Sequence, residues 1–296
     1  MATDPRVKSR LRLWLASERA MGLRLLPVRT HGGAQAATEP VRPASPSARP
    51  PAALAARSSP QAIVPPRAPA TIGAMPPLAV VPLPMVTDAP FTAPPLSLEE
   101  KRQRLIALDN NEVRNCTKCR LCKTRTQTVF GEGDPGARIF FVGEGPGENE
   151  DLSGRPFVGR AGQLLDKMIG GMGLRREQVY IANIVKCRPP GNRLPAPDEV
   201  ATCTPYLQRQ LEIVRPQVIV TLGLASAKYM LGNDKLAMGK IRGQWHSWRG
   251  IKLMPTFHPS YVLRTYTEEV RAAVWSDLKA VLSELGMPIP SREKSS

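Results

Sequence analysis

Two thiols three residues apart can grip one metal centre, and Cys116-x-x-Cys119 is such a pair. Cys122, Cys187 and Cys203 complete the cysteines of the chain. By spacing alone, four thiolates drawn from this set would suit tetrahedral zinc or a four-iron cluster equally well. The C-x-x-C-x-x-C run adds weight to iron–sulfur. Five cysteines with no export signal ahead of them do not form a disulfide framework. A second group is GEGPGENED at 143–151, directly behind the apolar run RIFFV at 138–142. Its spacing matches neither the dinucleotide fingerprint nor the phosphate loop. Pro146 lacks the N–H an anion cradle would use, and Glu144, Glu148, Glu150 and Asp151 would repel a phosphate. The glycines are better suited to a tight turn that lets a flat group approach the backbone. A third feature is the lone His258 in Thr256-Phe-His-Pro-Ser260.

Four short β-prone runs must position these groups: 138–142, 179–185, 217–222 and 251–256. Helical patterns alternate with them at 160–172, 197–214, 223–231 and 268–285. Ser97-Leu-Glu-Glu100 has the capping-box spacing, so a helix starts there and runs toward Val113. Alternation of this kind predicts an α/β fold: three αβα layers around a short central, mostly parallel, four-stranded sheet. Ligands of such sheets bind at the carboxyl ends of the strands. GEGPGENED, the stretch after Asn183 and the His258 loop all fall at those ends.

The chain has 296 residues and a formal net charge of +16, which favours a polyanionic partner such as nucleic acid. No apolar stretch is long enough to span a bilayer, and a cytoplasmic, nucleoid-associated protein is expected. Residues 31–96 hold 16 of the 31 prolines and read as a disordered linker. Residues 1–30 read as a short amphipathic helix that offers a docking segment for a protein partner. Their Arg-rich character also fits an organellar targeting segment. The folded domain is expected over 97–288, with a tail at 289–296.

Taken together, these pieces resemble the family 4, iron–sulfur uracil-DNA glycosylases. The likeness rests on Cys116-Thr-Lys-Cys119, Gly143-Glu-Gly-Pro-Gly147, Gly154-Arg-Pro-Phe-Val-Gly159, Asn183-Ile-Val-Lys-Cys-Arg-Pro-Pro190 and His258-Pro-Ser260, in the family's order over residues 100–285. The resemblance implies a 4Fe-4S cluster on Cys116, Cys119, Cys187 and Cys203, with Cys122 a neighbour rather than a ligand. It implies hydrolysis of the N-glycosidic bond of uracil flipped out of single- or double-stranded DNA, by a monomer. Phe157 would stack on the extruded base, and Asn183 would read its N3–H and O4 edge. Gly145 would line the pocket where better-known relatives carry an aspartate. His258 would stabilise the leaving uracil anion, and Glu144 or Glu150 would orient water, with Glu150 slightly preferred. Asp151 fits a turn or cap. Lys186, Arg188, Arg193, Arg242 and Arg264 would contact phosphates. The competing readings are a non-catalytic nucleic-acid-binding module with a structural zinc, and a glycosylase for another deaminated base.

Overall fold

The computed structural model describes residues 89–290. The expected N-terminal helix and most of the linker lie outside the described residues. The last eight linker residues, 89–96, do not: Phe91 and Leu96 pack against the core, and the Phe91 ring meets Trp248 edge-on at 5.9 Å.

Helix α1 (Leu98–Leu108) begins with the capping box read from the sequence. Glu100 N–H donates to Ser97 Oγ, and Ser97 N–H donates to Glu100 Oε2. The helix continues into a π turn over Asp109–Val113. After the cysteine segment come β1 (Glu132–Gly133), β2 (Ile139–Gly143), α2 (Glu148–Ser153), α3 (Arg160–Gly171) and β3 (Tyr180–Asn183). Helix α4 (Pro197–Val214), β4 (Val218–Leu222), α5 (Leu224–Leu231) and α6 (Met238–Ile241) follow. The domain closes with β5 (His246–Trp248), β6 (Ile251–Thr256), α7 (Pro259–Thr265) and α8 (Glu268–Glu284).

The sheet has six strands, in the order β1-β3-β2-β4-β6-β5. Its four central strands are the four expected, and they are mutually parallel. The four-stranded expectation is corrected at both edges, where β1 and β5 add on antiparallel. Two- and three-residue strands carry no periodicity of their own, and they pair only because a neighbouring edge is present.

Alternate side chains of the buried central strands enter two separate cores, which makes the three layers. Phe140, Val142, Tyr180 and Ile219 pack with Leu105 and Leu108 of α1 and Leu207 and Leu211 of α4. Ile139, Phe141, Ile181 and Val220 pack with Leu165 and Ile169 of α3 and Leu278 and Val281 of α8. Strand β2 has β3 on one side and β4 on the other, so the order of connection reverses there. The crevice at the carboxyl ends of β2, β3 and β6 is the place such a sheet offers a ligand.

Candidate active site

Gly143 ends β2 in register with Asn183, which ends β3. Asn183 is 1% exposed. Among the described residues its Oδ1 is a buried acceptor with no hydrogen-bond partner. Leaving such an atom unpaired costs about 1–3 kcal/mol. A Cβ at position 143 would lie 2.2 Å from Asn183 Oδ1 and 2.5 Å from Phe157 Cζ. The glycine is therefore what allows the amide and the ring to converge. Phe157 and His258 face each other with ring centroids 5.8 Å apart. The three side chains thus come together at the carboxyl end of the sheet.

His258 precedes α7, and its Nδ1 accepts the Ser260 N–H at 3.1 Å. A neutral imidazole bonded this way carries its proton on Nε2. Burial, with a smaller contribution from the Arg264 charge, lowers its pKa to about 4. A consequence for stability follows with a definite sign. Between about pH 6.5 and 4 the unfolded chain takes up a proton that the folded one refuses, so folding weakens as pH falls. The full effect is up to about 3 kcal/mol, complete below the folded pKa. Urea midpoints measured across this range should drop for the wild type and flatten for His258→Gln. Equal slopes in the two proteins would contradict the assignment.

The two candidate acids have different surroundings. Glu150 is engaged in holding the loop: Oε2 accepts Gly147 N–H at 3.1 Å, and Oε1 accepts Val158 and Gly159 N–H, each at 2.8 Å. Glu144 is half-buried, and its side chain makes no hydrogen bond or ion pair within the described residues. Burial alone raises its pKa. Of the two, Glu144 has the carboxylate oxygens free for water. Gly145 abuts the β3 extension, where an added Cβ would stand 2.8 Å from Val185 Cγ2. A side chain at this position requires the Val185 methyl to give way. Asp151 is buried, and both of its oxygens accept the Thr126 N–H, tying the glycine loop to the cysteine segment.

Lys186 corrects the phosphate-contact expectation. It is 1% exposed, and its Nζ donates to Asn183 O at 2.8 Å and to Gln210 Oε1 at 2.5 Å. Burial lowers its pKa to about 7. A group sealed beneath the strand end cannot reach a DNA backbone. Arg242 is likewise engaged internally, with Asp277 and Ala273 O. Arg188 donates to Asn192 Oδ1 and lies 3.7 Å from Glu148, while Arg193 grips Glu199 through both Nη atoms. Arg193 and Arg264 are exposed, and Arg188 is partly so. All three reach the surface, Arg193 while both of its Nη atoms are held by Glu199.

Cys116, Cys119, Cys187 and Cys203 line one small cavity together with Arg125, Lys186 and Tyr206. Cys122 is not among the lining residues; its Sγ lies 3.9 Å from Thr117 O. Among the described residues, no group of three or more His, Cys, Asp or Glu side chains is placed to hold a single metal ion. Burial raises the pKa of Cys119, Cys187 and Cys203, the last to about 12. Thiols so desolvated become thiolates only against strong positive charge, as a metal centre would supply. Polar hydrogens already point at the sulfurs: Arg125 Nη1 donates to Cys187 Sγ at 3.0 Å, and Lys186 N–H donates to Cys203 Sγ at 3.2 Å. Glu199 braces the two halves of the site. It accepts from Arg120, next to Cys119, and sits one helical turn ahead of Cys203. Residue type and spacing offer no signal for Glu199, Gln210, Glu132 and Arg176, which only the packed structure brings to the site.

An amide, an aromatic ring and a histidine thus converge at the strand ends of an αβα fold that also carries a four-cysteine cavity. Comparison with known proteins gives the class. The family model for the uracil DNA glycosylase superfamily matches residues 130–279. A type-4 uracil-DNA glycosylase of Thermotoga maritima is 48% identical over 183 residues, 62% of this chain and 95% of that protein. Those of Saccharolobus solfataricus and Archaeoglobus fulgidus are 46% and 44% identical, over 84% and 93% of their lengths and 59% and 61% of this chain. The chain belongs to the type-4 uracil-DNA glycosylases.

Proposed function

We infer that this chain removes uracil from DNA by hydrolysing the N-glycosidic bond, the opening step of base-excision repair. The observation that carries the reading is the buried, unpartnered Oδ1 of Asn183 beside Phe157. An amide offers one acceptor and donors in a plane, which suits the N3–H and O4 of uracil and mismatches cytosine. Phe157 supplies a face for the extruded ring. His258, neutral with its proton on Nε2, donates toward O2 and stabilises the uracil anion as the bond breaks. Glu144 orients the attacking water and offsets the positive charge that grows on the sugar. Glu150 acts indirectly, by closing the turn that carries Phe157. Arg188, Arg193 and Arg264 add salt-dependent affinity for the phosphate backbone.

The donor set fits an iron–sulfur cluster: four cysteines around one cavity, with N–H donors aimed at the sulfurs, are what a Cys-ligated 4Fe-4S group needs. Cys116, Cys119, Cys187 and Cys203 would hold it. When bound, it would cross-link the entering segment to the strand end that bears Asn183, a structural contribution rather than a redox one. The enzyme acts as a monomer in the cytoplasm, where the Pro-rich arm leaves a segment for a protein partner. We assign the catalytic domain to residues 97–288.

The test uses purified full-length protein and oligonucleotides carrying one uracil or only thymine. Alkali-labile sites should appear with uracil alone, and the protein should be brown, with about four iron atoms per chain. Tight DNA binding without uracil release would support the non-catalytic reading instead. A colourless, zinc-loaded and fully active protein would remove the cluster and spare the enzyme.

A further inference from the structure

The turn that carries Phe157 has strained backbone and is held by Arg176, a side chain outside the glycine, cysteine and histidine motifs. Phe157 has φ of 51°, a left-handed conformation that L-residues other than Asn and Asp rarely adopt. Arg176 stands in the short 3₁₀ turn Arg176–Gln178 that precedes β3. Its Nη1 donates to Phe157 O at 3.2 Å, and its Nη2 donates to Pro156 O. The same guanidinium is anchored on two carboxylates: Nε to Glu132 Oε1 and Nη1 to Asp166 Oδ1, each at 2.6 Å. Only 13% of its side chain is exposed.

The anchor is itself secured. Glu132, on the edge strand β1, accepts two further bonds from Arg155 at 2.8 and 3.0 Å. Burial would raise its carboxyl pKa, but the two arginines hold it below the ordinary range. From the opposite side, Glu150 takes the N–H groups of Val158 and Gly159. The backbone around Phe157 is therefore gripped on both flanks, its carbonyl by Arg176 and the next two amides by Glu150. Helix α3 presses from below: a Cβ on Gly162 would come within 1.9 Å of Phe157 O. Two carbonyls and two carboxylates around one cation call for a planar fork of donors, which lysine does not provide.

A ring that must meet an extruded base is useful only if its orientation is set before the base arrives. We propose that Arg176 is the positioning residue of the uracil-stacking platform: it locks the Pro156–Phe157 turn in its left-handed form and so presents the Phe157 ring beside Asn183 and His258. The proposal rests on the reading of Phe157 as the stacking face.

A double-mutant cycle tests it. Phe157→Ala, Arg176→Met and the double variant are assayed for kcat and KM on a single-stranded uracil oligonucleotide, and for inhibition by free uracil. Phe157→Ala should lower kcat/KM about 30-fold, the scale of one lost base–aromatic stack. Arg176→Met should lower it about tenfold, chiefly through KM, and weaken free-uracil inhibition by a similar factor. In the Phe157→Ala background the arginine change should add less than about twofold, because the two residues act as a unit. Equal losses from Arg176→Met in both backgrounds would overturn the proposal while leaving Phe157 as the stacking face. An unaffected Phe157→Ala enzyme would overturn the stacking reading and the proposal with it. Should Arg176→Met fold poorly, Arg176→Lys keeps the charge beside Glu132 but cannot bridge both carbonyls. It should show a smaller loss with the same non-additivity, and additive behaviour would again reject the idea.

Discussion

Replacing Asn183 by alanine should lower kcat/KM for uracil excision about 10³-fold, with little change in affinity for undamaged DNA. Asn183 ends a fully buried strand, and its Oδ1 is held against no protein donor among the described residues. Both hydrogen bonds to the uracil edge would form at a buried amide, where a missing partner leaves the base unsatisfied. Sites that depend on such bonds discriminate by several orders of magnitude. Asn183→Asp is the informative companion. A carboxylate there accepts but cannot donate to O4, so preference for uracil should collapse even where the protein folds normally. Excision rates are measured on uracil- and cytosine-containing strands, with salt-dependent DNA binding as the control. Activity within about tenfold of wild type for Asn183→Ala would show that another group reads the base.

The second large effect is expected at Glu144. Glu144→Gln should reduce kcat about 10²–10³-fold, the range for losing a group that positions or activates a nucleophilic water. Because burial raises the Glu144 pKa, the wild-type rate should fall as pH drops through a value above the usual glutamate range. That acidic limb should vanish in Glu144→Gln. The stability effect has the opposite sign. A buried carboxylate with a raised pKa is disfavoured in the folded state at neutral pH, so the glutamine variant should be as stable as wild type or more so. Glu150→Gln should behave differently. It keeps one acceptor oxygen for the loop amides, so its loss should be smaller and should appear partly in KM and in thermal stability. A Glu150→Gln enzyme as inactive as Glu144→Gln, yet fully stable, would return the water to Glu150.

Glu144 and Glu150 illustrate how far sequence reading reaches. Both are acids in one loop, and their types and spacing support either role. The distinction depends on Val158 and Gly159, whose amides lie eight and nine residues away and turn back onto Glu150 through the left-handed Phe157. Lys186 makes the same point. Its position after a strand and beside Arg188 suggests a phosphate contact, but whether a lysine at a strand end faces solvent or the core depends on what packs over it. Here α4 brings Gln210 against it. Arg176 and Glu132 could not be singled out, since an arginine in a polar turn and a glutamate in a two-residue strand are ordinary surface residues until a loop lies across them.

What the sequence by itself determined is the set of parts and their order. Buried strands must be continuous apolar runs, so β2, β3, β4 and β6 were visible, and so was the helix start at Ser97, where a hydroxyl and a carboxylate three residues apart satisfy orphan amides. The strand-end location of GEGPGENED, Asn183 and His258 follows from alternating strands and helices. Local chemistry also singled out the cysteines. Tertiary structure decided which of these groups face one another and which are spent on holding the others still. Those outcomes depend on contacts between residues far apart in the chain: Asn183 against Phe157 across Gly143, Glu150 under the turn, Arg176 behind it and Lys186 sealed beneath the strand. Periodicity and spacing carry information only over neighbouring residues, whereas burial and hydrogen-bond partners are properties of the packed whole.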